Sequence, residues 1–222
     1  MSVVNNLDTR KIGSEDRPVA LQPEGTLPSK TVLQNRYEIV GVHGVGGMSA
    51  VYQARDLRFT AVEKIVAVKE MSNVAPDPRL RRLGIQNFER EANILAALSH
   101  PSIPKIFDFF TEGQRSYLIL EFVEGETLED LLEENGQPIA QEEVTEWGIQ
   151  ICDVLAYLHS HTPPVIFRDI KPGNLMLRND GRIMVIDFGI AKVFEHGQRG
   201  TMIGTEGYSP PEQSRGAAAV SY

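Results

Sequence analysis

The sequence predicts an α/β fold of the segregated, α+β kind: an antiparallel sheet with one helix, then a mainly helical half. Three observations carry this. Short strand-like runs succeed one another between Tyr37 and Val123, with a single helical stretch among them. Two helical patterns then follow from Thr127 to His161. Finally, Leu175-Met176-Leu177 and Ile183-Met184-Val185-Ile186 flank Asn179-Asp180-Gly181, a strong signal for a hairpin turn.

The elements read in order as follows. Residues 1–34 form a leader expected to be disordered, being polar, mixed in charge and broken by Pro18, Pro23 and Pro28. Tyr37-Glu38-Ile39-Val40 and Ala50-Val51-Tyr52-Gln53-Ala54 enclose a glycine cluster, giving strand, glycine loop, strand. That arrangement is a hairpin and differs from the strand-to-helix turn of dinucleotide-binding folds. By itself the glycine loop is equally a flexible turn or a phosphate cradle. Ile65 to Lys69 is an apolar strand that ends in a charge. The basic run Arg79, Arg81, Arg82 reads as solvated, and a helix is expected from Ile85 to Ser99 on the spacing of Phe88, Ala92, Leu95 and Leu98. Glu89 and Glu91 on that helix are rival partners for Lys69; two residues apart they point about 200° apart, so only one can face it.

Pro101–Phe110 and Ser116–Val123 supply two more strands. Thr127 caps a short helix to about Asn135, and a longer one runs from Gln141 to His161. Its apolar stripe is Val144, Trp147, Ile151, Leu155 and Leu158, and Cys152 is expected to pack inside. Pro163-Pro164 stops it. The hairpin that follows should bring Asn174 and Asp187 together at its open end. An amide oxygen and a carboxylate meeting there suit a hard cation such as Mg²⁺. Asp169 and Lys171 lie on the loop just before, within reach of a reacting hydroxyl.

Arg168-Asp169-x-Lys171-x-x-Asn174 followed by Asp187-Phe188-Gly189 resembles the catalytic and metal-binding loops of protein kinases. Lys171 matches the Ser/Thr-specific branch, and GVGGMSAVY with GTEGYSPPEQ resembles the bacterial Hanks-type Ser/Thr kinases. The resemblance implies transfer of the ATP γ-phosphoryl to protein Ser/Thr hydroxyls. It makes Asp169, Lys171 and Asn174 catalytic, with Asn174 and Asp187 holding Mg²⁺ or Mn²⁺. It assigns Val42, Gly44, Gly46, Val51, Ala67, Lys69, Glu121, Val123 and Met176 to the nucleotide, and selects Glu91 as the partner of Lys69. Leu120 would close the back of the adenine pocket, and Ser49 takes the place of the loop's third glycine. Phe167 stands where the family has His, in a hydrophobic spine. Thr201 or Thr205 would be autophosphorylated, with Arg168 the cation that docks the phosphate.

The chain ends at Tyr222, ten residues after Glu212. By the resemblance, this leaves a kinase domain over 35–222, with an N-lobe of about 35–122 and a C-lobe of about 123–222 that is truncated. A catalytically dead nucleotide-binding or interaction module is therefore the alternative reading. A formal net charge of −8 disfavours nucleic acid and anionic membrane surfaces as partners. One cysteine excludes an intrachain disulfide, and the lack of a long apolar run or signal core makes the expected location cytoplasmic.

Overall fold

The computed structural model describes residues 25–45, 49–72, 78–188, 192–193 and 207–208. Its first half is an antiparallel sheet of six strands: β1 (Val32–Leu33), β2 (Tyr37–Val45), β3 (Ser49–Asp56), β4 (Ile65–Ser72), β5 (Ile106–Glu112) and β6 (Arg115–Glu121). They lie in the order β1-β2-β3-β4-β6-β5. Helix α1 (Pro78–Ala97) crosses between β4 and β5.

Alternation along these strands separates two environments, because successive side chains leave a strand on opposite faces. Val66 and Val68 of β4 join Tyr52, Ala54, Tyr117 and Ile119 in a core cluster on one face. Ala67 and Lys69 turn to the other face and line a cleft. On that side Phe88, Ala92 and Leu95 of α1 meet Leu118 of β6 and the second lobe in the main core.

The second lobe begins after β6 with β7 (Gly125–Thr127), α2 (Leu128–Asn135) and α3 (Gln141–His159). Thr127 caps α2 in a reciprocal capping box with Asp130. Then come β8 (Val165–Ile166), a 3₁₀ turn at Pro172–Asn174, and the hairpin β9 (Leu175–Arg178) and β10 (Ile183–Val185). β11 (Lys192–Val193) pairs with β8. Gly181, at φ 80, makes the hairpin turn. Gly125 is required where β7 meets β9: its φ is 154, and a Cβ there would collide with the Leu177 carbonyl.

Several expectations need correction. Part of the leader is ordered: β1 pairs with β2, and the Lys30 N–H donates to the Ile39 carbonyl at 2.7 Å. Leu27 adds apolar contact with the sheet, which the polar composition concealed. Helix α1 starts at Pro78, seven residues before Ile85, since proline suits a first turn whose N–H groups lack partners anyway. Helix α3 ends at His159, where the Ser160 N–H closes on the carbonyls of Ala156 and Tyr157. Its buried residues are Val154 and Leu158, whereas Val144 is half exposed. Cys152 is also exposed: two residues before Val154, it points some 200° away from the buried line.

Candidate active site

The cleft lies between the sheet and the β9–β10 hairpin, with the β6–β7 connection at its rear, and encloses about 200 Å³. Val51 and Ala67 face it from the sheet, Met176 and Ile186 from the hairpin, and Leu120 to Val123 from the end of β6 and the connection after it. This is a slot with two apolar walls and a charged end.

Lys69 defines that end. Its ammonium donates to Glu91 Oε1 at 2.6 Å and to Asp187 Oδ1 at 2.7 Å. Of the two rival acids on α1, Glu91 is buried and meets the lysine, while Glu89 is exposed. Burial alone would lower the Lys69 pKa, but the two carboxylates outweigh it and hold the ammonium above its ordinary value. The partners differ in setting: the Glu91 side chain is 4% exposed and that of Asp187 53%.

The loop beneath carries the remaining polar groups. The Asn174 amide donates to the Asp169 carbonyl at 2.9 Å and to Asp169 Oδ2 at 2.8 Å. Lys171 Nζ stands 3.5 Å from the same Asp169 oxygen. The hairpin closes as its pattern requires, with the Ile186 N–H donating to the Asn174 carbonyl at 2.9 Å, so Asn174 and Asp187 line one cleft. Arg168 and Asp187 both adopt positive φ, 73 and 62, a strained backbone at two non-glycine positions. Beneath them Phe167 and Phe188 are buried edge to face, with ring centroids 4.9 Å apart. That contact seats the loops before and after the hairpin against each other.

Val42 is a correction. It pairs with Tyr52 across β2 and β3, and paired residues share a face, so it packs with Tyr52 in the core cluster away from the cleft. The register shift between Val42 and Gly44 turns His43 into the cleft instead. There it meets Phe122 edge to face at 5.4 Å across the mouth. Neither ring is predicted by the sequence, because the pairing of β2 with β3 decides which of Val42 and His43 faces the cleft. Gly44 pairs with Val51 at the end of β2 and is not among the residues lining the cleft. Gly46, Thr201, Thr205 and Glu212 lie outside the described residues.

Among the described residues, no cluster of three or more His, Cys, Asp or Glu side chains is placed to bind a metal, and no helix is long and apolar enough to cross a membrane. Asn174 and Asp187, which both line the cleft, offer instead an amide oxygen and a carboxylate.

The protein kinase domain family matches residues 37–220. Serine/threonine-protein kinase PknB of Mycolicibacterium smegmatis is 38% identical over 194 residues, which is 83% of this chain and 29% of that protein. A probable serine/threonine-protein kinase PknB of Lactococcus lactis is 37% identical over 193 residues, 85% of this chain and 29% of that protein. The chain thus spans under a third of the length of these relatives. A solved structure described as the PpkA-294 apo form superposes with a TM-score of 0.66 at 24% identity, over 74% of this chain and 62% of that one, a likeness of fold alone.

Proposed function

Because the chain belongs to the protein kinase domain family, we propose that it is a Ser/Thr protein kinase of the bacterial Hanks type, transferring the ATP γ-phosphoryl to Ser or Thr hydroxyls of proteins. The observation that carries this is Lys69 held between Glu91 and Asp187 at the charged end of an apolar slot. A flat base suits the slot between Val51, Ala67 and Met176, with the backbone of Glu121 and Val123 along its edge. Lys69 then meets the phosphates, and Glu91 fixes its position.

Asn174 and Asp187 would hold the divalent cation, Mg²⁺ in our reading and Mn²⁺ as the alternative, through hard oxygen donors. A cation bound there supplies charge neutralisation on the phosphates. Asp169 orients the acceptor hydroxyl and takes its proton, while Lys171 beside it offsets charge on the phosphoryl oxygens. The hydroxyl oxygen bonds to phosphorus as the bond to the bridging oxygen breaks, and ADP leaves. Thr201 and Thr205 are the proposed sites of autophosphorylation. The kinase domain is read over 35–222, with the lobes joined at about residue 122.

Nucleotide-dependent stabilisation tests the site. At a hundredfold excess over Kd, ATP with Mg²⁺ should stabilise the native chain by about 2.7 kcal/mol. The shift should shrink sharply in Lys69→Ala and Asp187→Ala, whose apo stabilities are measured in parallel. Equal shifts in all three proteins would contradict the assignment.

A further inference from the structure

A second concavity, formed by α2, α3 and β9, shares no residue with the cleft. It encloses about 390 Å³ and is lined by Leu131 of α2, Pro138 and Ile139 of the connecting loop, Trp147 of α3 and Leu177 of β9, with Glu143 among them. Leu131, Trp147 and Leu177 are half-buried, one side packed on the main core and the other facing the groove.

The segment that supplies most of this groove is one-sided in charge. Between Glu121 and Glu146 the chain carries ten carboxylates and no Lys, Arg or His, against a formal net charge of −8 for the whole. Among the described residues only Glu121 of the ten has an ion-pair partner, Arg178 at 3.9 Å. Glu126 stands opposite Leu177 in the β7–β9 register, so the two share a face. Glu134 lies one turn beyond Leu131 on α2. Glu126, Glu134 and Glu143 are all exposed.

We propose that this groove docks a peptide segment of a partner protein in which a bulky apolar side chain is flanked by Lys or Arg. The apolar side chain covers Trp147 and Leu177, and the flanking cations meet Glu126, Glu134 and Glu143. An acidic segment or a nucleic acid is repelled by the same field, and a wholly apolar one leaves the carboxylates unanswered. On the kinase reading the segment recruits a protein substrate from outside the cleft; that consequence rests on the reading, while the docking does not.

Trp147 is the chain's single tryptophan and reports directly. The intact chain is titrated with the synthetic peptide Arg-Arg-Lys-Gly-Leu-Ala-Leu, which lacks any phosphoacceptor, while Trp147 fluorescence is followed. The expected result is a saturable change that weakens as salt rises. It should weaken on the order of tenfold in the exposed double variant Glu134→Lys, Glu143→Lys. Replacing the peptide's leucines by Ser should weaken it comparably, and excess ATP with Mg²⁺ should leave it unchanged. No response of Trp147, as when another copy or another segment of this chain fills the groove, would overturn the proposal. Indifference to the charge reversal, or competition by ATP, would do the same. Failure of ATP to bind at all, with the peptide response intact, would remove the kinase reading and leave the groove standing.

Discussion

Lys69 and Glu70 are neighbours on β4, each paired with an opposite charge, and they serve different ends. Glu70 is 4% exposed on the far face of the sheet. It accepts from the Tyr52 hydroxyl at 3.0 Å and pairs with Arg115 at 2.9 Å. Tyr52 in turn accepts from the Leu27 N–H, and Arg115 donates to the Gly25 carbonyl, so this cluster ties the N-terminal segment down. Lys69 has an equally close pair in Glu91, but its second partner, Asp187, opens to solvent and lies on a loop with strained backbone. A charge enclosed by fixed partners holds a fold together. One whose second partner remains accessible can exchange that partner for a ligand.

Breaking the enclosed side should have the larger effect on stability. Glu70→Ala leaves the Arg115 guanidinium without its carboxylate partner; because Arg115 is about one-third exposed, the cost should lie near the lower end for a broken buried pair, about 3 kcal/mol in urea unfolding. Tyr52→Phe removes one hydroxyl that both donates and accepts, with an expected loss of about 1–2 kcal/mol. Asp187→Asn, on the open side, should cost under about 1 kcal/mol in the absence of nucleotide. A larger loss there than in Glu70→Ala would erase the distinction.

Alkaline pH sharpens the comparison with a smaller effect. Burial is the main cause that raises both the Tyr52 and Tyr117 hydroxyls, from 10.0 to about 12. Raised folded-state pKa values mean that their contribution is complete below the unfolded value of 10.0 and is lost as pH rises toward 12. Lys69, also raised, acts in the same sense from its own ordinary value upward. Stability should therefore fall with pH across this window, and less steeply in Tyr52→Phe. An unchanged slope in that variant would show that Tyr52 does not contribute.

Much of this was legible in the sequence because chemistry and local pattern coincide there. The Asn179-Asp180-Gly181 turn fixed the β9–β10 hairpin and with it the meeting of Asn174 and Asp187 at one cleft. The spacing on α1 allowed only one of Glu89 and Glu91 to face Lys69, the family resemblance selected Glu91, and Glu91 is the acid that meets it. What stayed hidden depended on tertiary context. Nothing local distinguishes Val42 from His43, since the β2 bulge that reverses their faces is a property of the pairing with β3. Cys152 lies within an apolar helical pattern, and only the direction of Val154 and Leu158 shows that it faces outward. The order of residues 25–34 rests on Tyr52 and Arg115, far along the chain, and no local period announces it.

The most direct test of the open side as the chemical one is transfer of labelled phosphate from ATP, with Mg²⁺, to casein and to the chain itself. The wild type is compared with Asp169→Asn, after both are shown to bind ATP equally. Loss of the proton acceptor should lower transfer on the order of 10²–10⁴-fold with ATP affinity nearly intact. Transfer by Asp169→Asn at the wild-type rate would contradict the account.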